Sequence, residues 1–251
     1  MTAASWPLEA PAIGTFVKLP TPEVVEILAL AGVDFLVIDN EHAVINPQTI
    51  STMIGTARGY GITPFVRVPS HEPRDVQAFL DAGAAGLLLP HVDSTEQARR
   101  AVASCRFPPL GTRGVSNSGR AGGWGRTDLP DYLLEGNASI TLVAQLESRT
   151  ALENACAIAN TKGIDAVMIG PADLAVSSGL PLGDPELTSL TEETERTCVQ
   201  GGHTLGTTAP DGPGAAKRFA RGYRFVVVAT EVALLARAAR EMITAARGPL
   251  E

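Results

Sequence analysis

Residues 35–44 read FLVIDNEHAV, a short apolar run that ends abruptly in two acids, an amide and an imidazole. A strand covered on both faces shows a continuous apolar run rather than an alternating one, which is the habit of parallel sheets sheathed by helices. The same kind of run recurs eight times: IGTFVKL (13–19), FLVID (35–39), PFVRV (64–68), GLLLP (86–90), ITLVAQLE (140–147), IDAVMIG (164–170), HTLGTT (203–208) and RFVVVAT (224–230). Helix-compatible segments lie between them, such as TPEVVEILALAG, NPQTISTMIGTARG, STEQARRAVASC and RTALENACAIAN. Several open on a Thr, Asn, Ser or Asp cap and close on Gly, as at Gly32, Gly59 and Gly83. Eight strand–helix units in 251 residues predict one (β/α)₈ barrel spanning 1–251. The rival, an open doubly wound sheet, is disfavoured because no Gly-x-Gly-x-x-Gly follows the first strand.

Two segments depart from the rhythm. Residues 107–136, FPPLGTRGVSNSGRAGGWGRTDLPDYLLEG, are too long and too rich in Gly, Pro, Ser and Arg for an ordinary connection. They are expected after strand four, on the mouth side, as a lid or an intersubunit loop, with Trp124 covering the site or filling a contact. The last helix, TEVALLARAAREMITAARG, carries two apolar or small stripes: Val232, Leu235, Ala239, Met242 and Ala246, then Leu234, Ala238 and Ala245. One stripe suffices against the helix's own barrel, so the second points to another subunit.

Composition narrows the function classes. Hydrophobic residues make up 45%, charged residues 19%, and the net charge is −7. No broad basic face is available for nucleic acid or an anionic membrane, and no apolar run approaches a bilayer span. The start, MTAASWPLEAP, lacks the basic-then-apolar form of a secretory signal. Cys105, Cys156 and Cys198 are odd in number and far apart, which fits free thiols in a reducing cytoplasm.

Barrel chemistry collects at the carboxyl ends of the strands. Those ends supply Asp39, Glu41 and His42 after strand two, Arg67 on strand three, and Gln145 and Glu147 on strand five. Strand six runs into Gly170, Pro171, Ala172 and Asp173. An Arg or a Glu inside a barrel is costly unless paired or metal-bound. Glu147 and Asp173, with positions left for water and substrate oxygens, suit Mg²⁺ or Mn²⁺. Such a site would take a 2-oxo acid and stabilise the enolate formed from it. Arg67 would hold the ketone oxygen, and His42 would move the proton, oriented by Asp81 on the third helix. Backbone N–H groups after Gly170-Pro171 would accept the substrate carboxylate. Lys18, in TFVKLP, adds a cation for an acidic or hydroxylated acceptor, or is simply solvated. His91 follows strand four at the mouth, while His71 and His203 read as surface or helix-end residues.

DNEHA resembles the Asp-Gly-Glu-His segment of the metal-dependent (class II) pyruvate aldolases, the family of 4-hydroxy-2-oxoheptanedioate aldolase and 2-dehydro-3-deoxyglucarate aldolase. FVRVP, LDAGAAGLLLPHVDSTEQA, RFPPLGTRGV, VAQLES and IDAVMIGPADLA are similar to that family in the same order, from about Gly14 to Leu235. The resemblance implies His42 as base with Asp81 as its partner and Arg67 as enolate stabiliser. It implies Glu147 and Asp173 as ligands of a divalent metal (Mg²⁺, Mn²⁺ or Co²⁺), with Gln145 and Ala172 touching pyruvate. It also implies hexamers built as trimers of dimers that exchange the last helix. The reaction implied is reversible aldol addition of pyruvate or hydroxypyruvate to an aldehyde. Asn40 replaces the family's usual Gly, at a position expected to need an unusual backbone angle. The segments SNSGRAGGWGR and LGTTAPDG also depart from relatives, so the aldehyde cannot be carried over. Three alternatives stay open: a Schiff base on Lys18, the only one of three lysines near the mouth; decarboxylation through the same enolate; and non-catalytic binding of a 2-oxo acid.

Overall fold

A computed structural model describes residues 11–248. Eight parallel strands close into one barrel in sequential order. They are β1 (Ala12–Val17), β2 (Phe35–Asp39), β3 (Thr63–Arg67), β4 (Gly86–Leu89), β5 (Thr141–Leu146), β6 (Ala166–Ile169), β7 (Leu205–Ala209) and β8 (Phe225–Thr230). All eight predicted runs are strands; β2 keeps its predicted bounds and the others shift by one or two residues at one or both ends. The helices are α1 (Pro22–Leu30), α2 (Pro47–Gly59), α3 (Pro73–Asp81), α4 (Thr95–Cys105), α5 (Leu129–Ala138), α6 (Arg149–Glu153), α7 (Ala155–Ala159), α8 (Pro171–Ser178), α9 (Pro185–Gln200), α10 (Gly212–Ala220) and α11 (Glu231–Arg247). The signal-peptide reading of the first residues, and both ends of the 1–251 domain, lie outside the described residues. Among the described residues no helix is long and apolar enough to cross a membrane.

Helix ends follow the local chemistry. Asn46, Ser94, Ser148 and Asp211 accept backbone N–H bonds from the first turns of α2, α4, α6 and α10. Gly32 and Gly83 end α1 and α3 at positive φ, but Gly59 stays helical and Gly61 (φ 77°) takes the left-handed position. The stretch expected as one helix, RTALENACAIAN, breaks at Asn154 into α6 and α7.

Two residues per strand period sorts the side chains into two cores. The odd positions Phe35, Val37, Phe65, Val143 and Phe225 fill the barrel. Their neighbours Leu36, Ile38, Val66, Leu142 and Val226 pack under the helices. Three glycines make room for three rings inside. A Cβ on Gly14, Gly86 or Gly206 would lie 2.4, 2.3 or 2.0 Å from the ring of Phe35, Phe65 or Phe225. Each glycine stands in register with its ring on the adjacent strand. Phe35 meets Phe65 and Phe225 edge-on at 6.1 and 6.2 Å.

Two expectations change. The segment after α4 does not lie at the mouth. Helices return the chain to the amino end of the barrel, and residues 107–128 stay there. Arg106 Nη2 donates to Ile140 O (2.9 Å), Phe107 N–H to Asn137 Oδ1 (2.7 Å), and Gly119 lies against the Asp81 carbonyl. The segment is also partly ordered, with a 3₁₀ turn over Arg120–Gly125 and α5 at its end. It is therefore no lid over its own mouth, and Trp124, two-thirds exposed, covers nothing there. Helix α11 also departs from its barrel. Only Glu231 is buried, and Val232, Leu235 and Met242 are exposed, so neither apolar stripe is covered by this chain.

The interlock of ring and glycine generates a stability prediction. Gly206→Ala overpacks the barrel against Phe225 and should lose about 1–3 kcal/mol. Chemical denaturation of the variant and of Gly212→Ala, where a Cβ meets open space, checks it: equal midpoints would refute the interlock.

Candidate active site

The alternation that sends Phe35 and Val37 inward also sends Asp39 inward, at the last level of β2. It is fully inaccessible to solvent. On β3 the register places Arg67 opposite Asp39. The guanidinium grips the carboxylate with two parallel bonds, Nε to Oδ1 at 3.0 Å and Nη2 to Oδ2 at 2.7 Å. The N–H groups of Glu41 and His42 each donate to Oδ1 at 3.1 Å, so Asp39 also shapes the turn that carries them. Lys18 Nζ approaches Oδ2 at 3.1 Å. Burial pushes the Asp39 carboxyl up, but the bonds and charge of Arg67, the His42 N–H and Lys18 outweigh it and hold it at about 2.

From this pair the polar network crosses the mouth. Arg67 Nη1 lies 3.3 Å from Glu41 Oε2, and its guanidinium sits 4.6 Å over the Phe16 ring. Glu41 Oε1 lies 3.1 Å from His91 Nε2, and His91 Nδ1 lies 3.1 Å from Glu147 Oε2. The His91 N–H donates to the same Glu147 oxygen at 3.0 Å. His91 adopts φ 53°, a left-handed backbone that a non-glycine residue rarely holds. Gln145 Nε2 donates to Glu147 Oε1 at 2.5 Å, and its Oε1 is buried without a hydrogen-bond donor. Burial pushes the Glu147 carboxyl up, the His91 contacts oppose that, and the Asp173 and Glu41 charges add to it, leaving it at about 7.

One cavity of about 840 Å³ opens over this network. Lys18, His42, Arg67, Gln145, Gly170, Pro171, Ala172 and Asp173 line it. Most residues picked from the sequence thus share one mouth. Glu147 stands just behind it, its Cγ 3.0 Å from where a Cβ on Gly170 would sit. His42 is half exposed, with Nε2 3.7 Å from Glu41 Oε2. Asp81 does not join them. It closes α3 at the amino end of the barrel, where Arg113 Nη2 (2.7 Å) and Tyr132 OH (3.3 Å) donate to its Oδ1. Asn40 does not take a positive φ; among the described residues the non-glycine positive φ values fall at His91, Trp124 and Ala229.

Oxygen donors dominate the side of β5 and β6. Gln145 Oε1, Glu147 and Asp173 fit a hard divalent cation: two carboxylates whose charges repel, and a buried carbonyl oxygen lacking a donor. Among the described residues no group of three or more His, Cys, Asp or Glu side chains stands ready as a complete ligand set. A cation held here would complete its shell with water or substrate.

Sequence reasoning gave no role to Asp39 or Glu41 and left His91 undecided. The two-residue alternation from Phe35 through Val37 was the available signal for Asp39. Nothing in the sequence signalled that His91 would bridge two acids.

A closed parallel barrel with a guanidinium, an imidazole and several carboxylates around one mouth has the layout of a barrel enzyme's active site. Comparison with known proteins gives the family. Residues 12–238 match HpcH/HpaI aldolase/citrate lyase, and the chain belongs to that family, which makes it a lyase of the aldolase type. It is 38% identical over 223 residues to the 5-keto-4-deoxy-D-glucarate aldolase of Salmonella paratyphi C, covering 88% of this chain and 86% of that one. The fold matches the crystal structure of an HpcH/HpaI aldolase/citrate lyase family protein from Burkholderia cenocepacia J2315. Its TM-score is 0.90 at 34% identity, over 95% of both chains. An HpcH/HpaI aldolase from Desulfitobacterium hafniense DCB-2 matches at TM-score 0.86 and 30% identity, over 96% of this chain and 94% of that one.

Removing the anion beneath Arg67 tests the frame of the site. Asp39→Asn should cost on the order of 3 kcal/mol at pH 7, because a buried guanidinium loses its counter-charge. Asp39 titrates lower in the folded chain (about 2) than its ordinary 3.8. Its contribution is therefore complete above about pH 4 and is lost as pH falls through about 2. Denaturation midpoints of wild type and variant should differ at pH 7 and draw together toward pH 2.

Proposed function

We propose that this protein is a divalent-metal-dependent aldolase that joins pyruvate or hydroxypyruvate to an aldehyde and cleaves the 4-hydroxy-2-oxo acid product. The observation that carries the reading is the shared mouth: a fixed Arg67 and a half-exposed imidazole at His42 face Gln145 and two mutually repelling carboxylates. The curated relative's activity on 5-keto-4-deoxy-D-glucarate supports the same chemistry and extends it to polyhydroxylated oxo acids.

Glu147 and Asp173 would hold the metal, Mg²⁺, Mn²⁺ or Co²⁺, with Gln145 Oε1 beside them. The cation supplies Lewis-acid charge for a 2-oxo acid. Arg67, immobilised by Asp39, donates to the ketone oxygen and stabilises the negative charge that grows there. The N–H groups at the start of α8, after Gly170 and Pro171 and near Ala172, receive the substrate carboxylate. In cleavage, His42 takes the proton from the C4 hydroxyl, and the C3–C4 bond breaks to release the aldehyde. Its electron pair becomes the enolate, which takes the proton back from His42 at C3 to give pyruvate.

Asp81 as the partner of His42 requires a second copy of the chain, since the two residues sit at opposite ends of one barrel. The uncovered α11 supports the same assembly: a homohexamer, as a trimer of dimers exchanging this helix. The three free thiols favour a reducing cytoplasm.

Two measurements test the reading. Metal-loaded protein should exchange the C3 protons of pyruvate with deuterium, followed by NMR; exhaustive chelation or His42→Ala should slow the exchange at least about 100-fold. Exchange that persists without metal would rule out the metal's role. Separately, Glu147 must lose its proton to bind a cation, and its carboxyl titrates at about 7. Mn²⁺ affinity by calorimetry should therefore rise with pH up to about 7, with proton release, then level off. Glu147→Gln should abolish the binding.

A further inference from the structure

The turn that leaves β4 is strained, and its neighbours hold it in that state. His91 takes φ 53°, in the left-handed region that a non-glycine residue rarely occupies. Such a conformation persists only where the surroundings over-determine it. Here the adjoining residues are all fixed. His71 Nε2 donates to the Pro90 carbonyl. The Val92 N–H donates to Gln145 O at 3.2 Å. The Asp93 N–H donates to Gln97 Oε1 at 2.7 Å, and its carboxylate accepts from Ser148 Oγ at 2.5 Å. Gln145 lies on β5 and Ser148 just after it, so the turn is tied to the strand that carries the site's acid.

The strained turn sets His91 between two acids. Its N–H (3.0 Å) and its Nδ1 (3.1 Å) both meet Glu147 Oε2, and its Nε2 lies 3.1 Å from Glu41 Oε1. The imidazole is 64% exposed, so these contacts rather than packing fix the ring. Glu147 Oε1 takes Gln145 Nε2 at 2.5 Å. A carboxylate oxygen offers about two lone pairs. On Oε2 both are engaged toward β4. On Oε1, among the described residues, one stays open. Oε1 faces β6, 3.2 Å from where a Cβ on Gly170 would sit. Asp173, proposed to hold the same cation, follows on α8.

We propose that His91 is a positioning residue for the cation site. Its ring and N–H turn the Glu147 carboxylate so that Oε1 stays open on the β6 side. The same ring ties Glu147 to Glu41, which lies beside Arg67. Without the ring the carboxylate is free to rotate, and binding a cation must then pay for its reordering. The left-handed backbone fits this role: a glycine would hold the turn with less strain but brings no ring to the two acids. The inference rests on the metal reading above and adds a residue to it.

The test is calorimetric titration of the metal-free protein with Mn²⁺ at pH 8, beside chemical denaturation of the same samples. His91→Gly keeps the N–H and suits the positive φ. His91→Asn also tolerates that φ, with a side chain too short to span both acids. Both variants should bind Mn²⁺ about 10- to 100-fold more weakly, the usual effect of losing a group that orients a metal ligand. The denaturation midpoint of His91→Gly should not fall, because glycine relieves the left-handed strain. Should one variant fail to fold, the other carries the measurement. An affinity within about twofold of wild type overturns the proposal. An affinity that rises overturns it too, since the imidazole is then only a counter-charge for two crowded acids. A lower midpoint in both variants marks a role in the fold instead and overturns it as well. If wild type binds Mn²⁺ and both variants match it, only this inference fails. If wild type binds none, the metal reading fails and takes this inference with it.

Discussion

The bond between Asp39 and Arg67 sets the terms for everything at the mouth. A guanidinium inside a barrel has lost its water and keeps its charge, so it needs an anion in a fixed place. Asp39 supplies that anion from the next strand at the same level. The same carboxylate turns the backbone of Glu41 and His42 toward the cavity. One buried acid thereby positions the group proposed to stabilise charge and the group proposed to move a proton. It does so with little flexibility, because each Asp39 oxygen already has partners.

Across the mouth the carboxylates outnumber their cationic partners. Glu147, Asp173 and Glu41 face one another with His91 between two of them. On the β1–β3 side, Lys18 and Arg67 stand against Asp39 and Glu41, so the charges there are paired. An anionic substrate end would be received on the Glu147 and Asp173 side only beside a cation held there. Asp39 and Arg67 stand on strands, and Lys18, Glu41, His91 and Glu147 follow a strand end by one or two residues, which gives the site the precision that catalysis demands.

Much of this was legible in the sequence, for a physical reason. Continuous apolar runs ending in acids, amides and an arginine mark strands that enter a polar mouth, so the barrel and residues such as Arg67, Gln145 and Asp173 could be read directly. The alternation through Phe35 and Val37 made Asp39 readable too, though it stayed without a role. What failed was the direction of the chain between strands. Residues 107–136 were read as following strand four, yet α4 intervenes and carries the chain to the opposite end. The same step placed Asp81 beside its own chain's mouth, whereas the end of a helix lies at the start of the next strand. The bridge by His91 depends on a left-handed backbone that no residue type announced.

The pairing of glycine with phenylalanine inside the barrel reaches beyond stability. Gly14 with Phe35, Gly86 with Phe65 and Gly206 with Phe225 are each neighbours on adjoining strands. Enlarging one member is tolerable only when the other shrinks, so such changes are non-additive. These six positions are therefore constrained as three linked couples. A lineage moving from one large–small arrangement to its mirror image must cross an intermediate that is either overfilled or hollow.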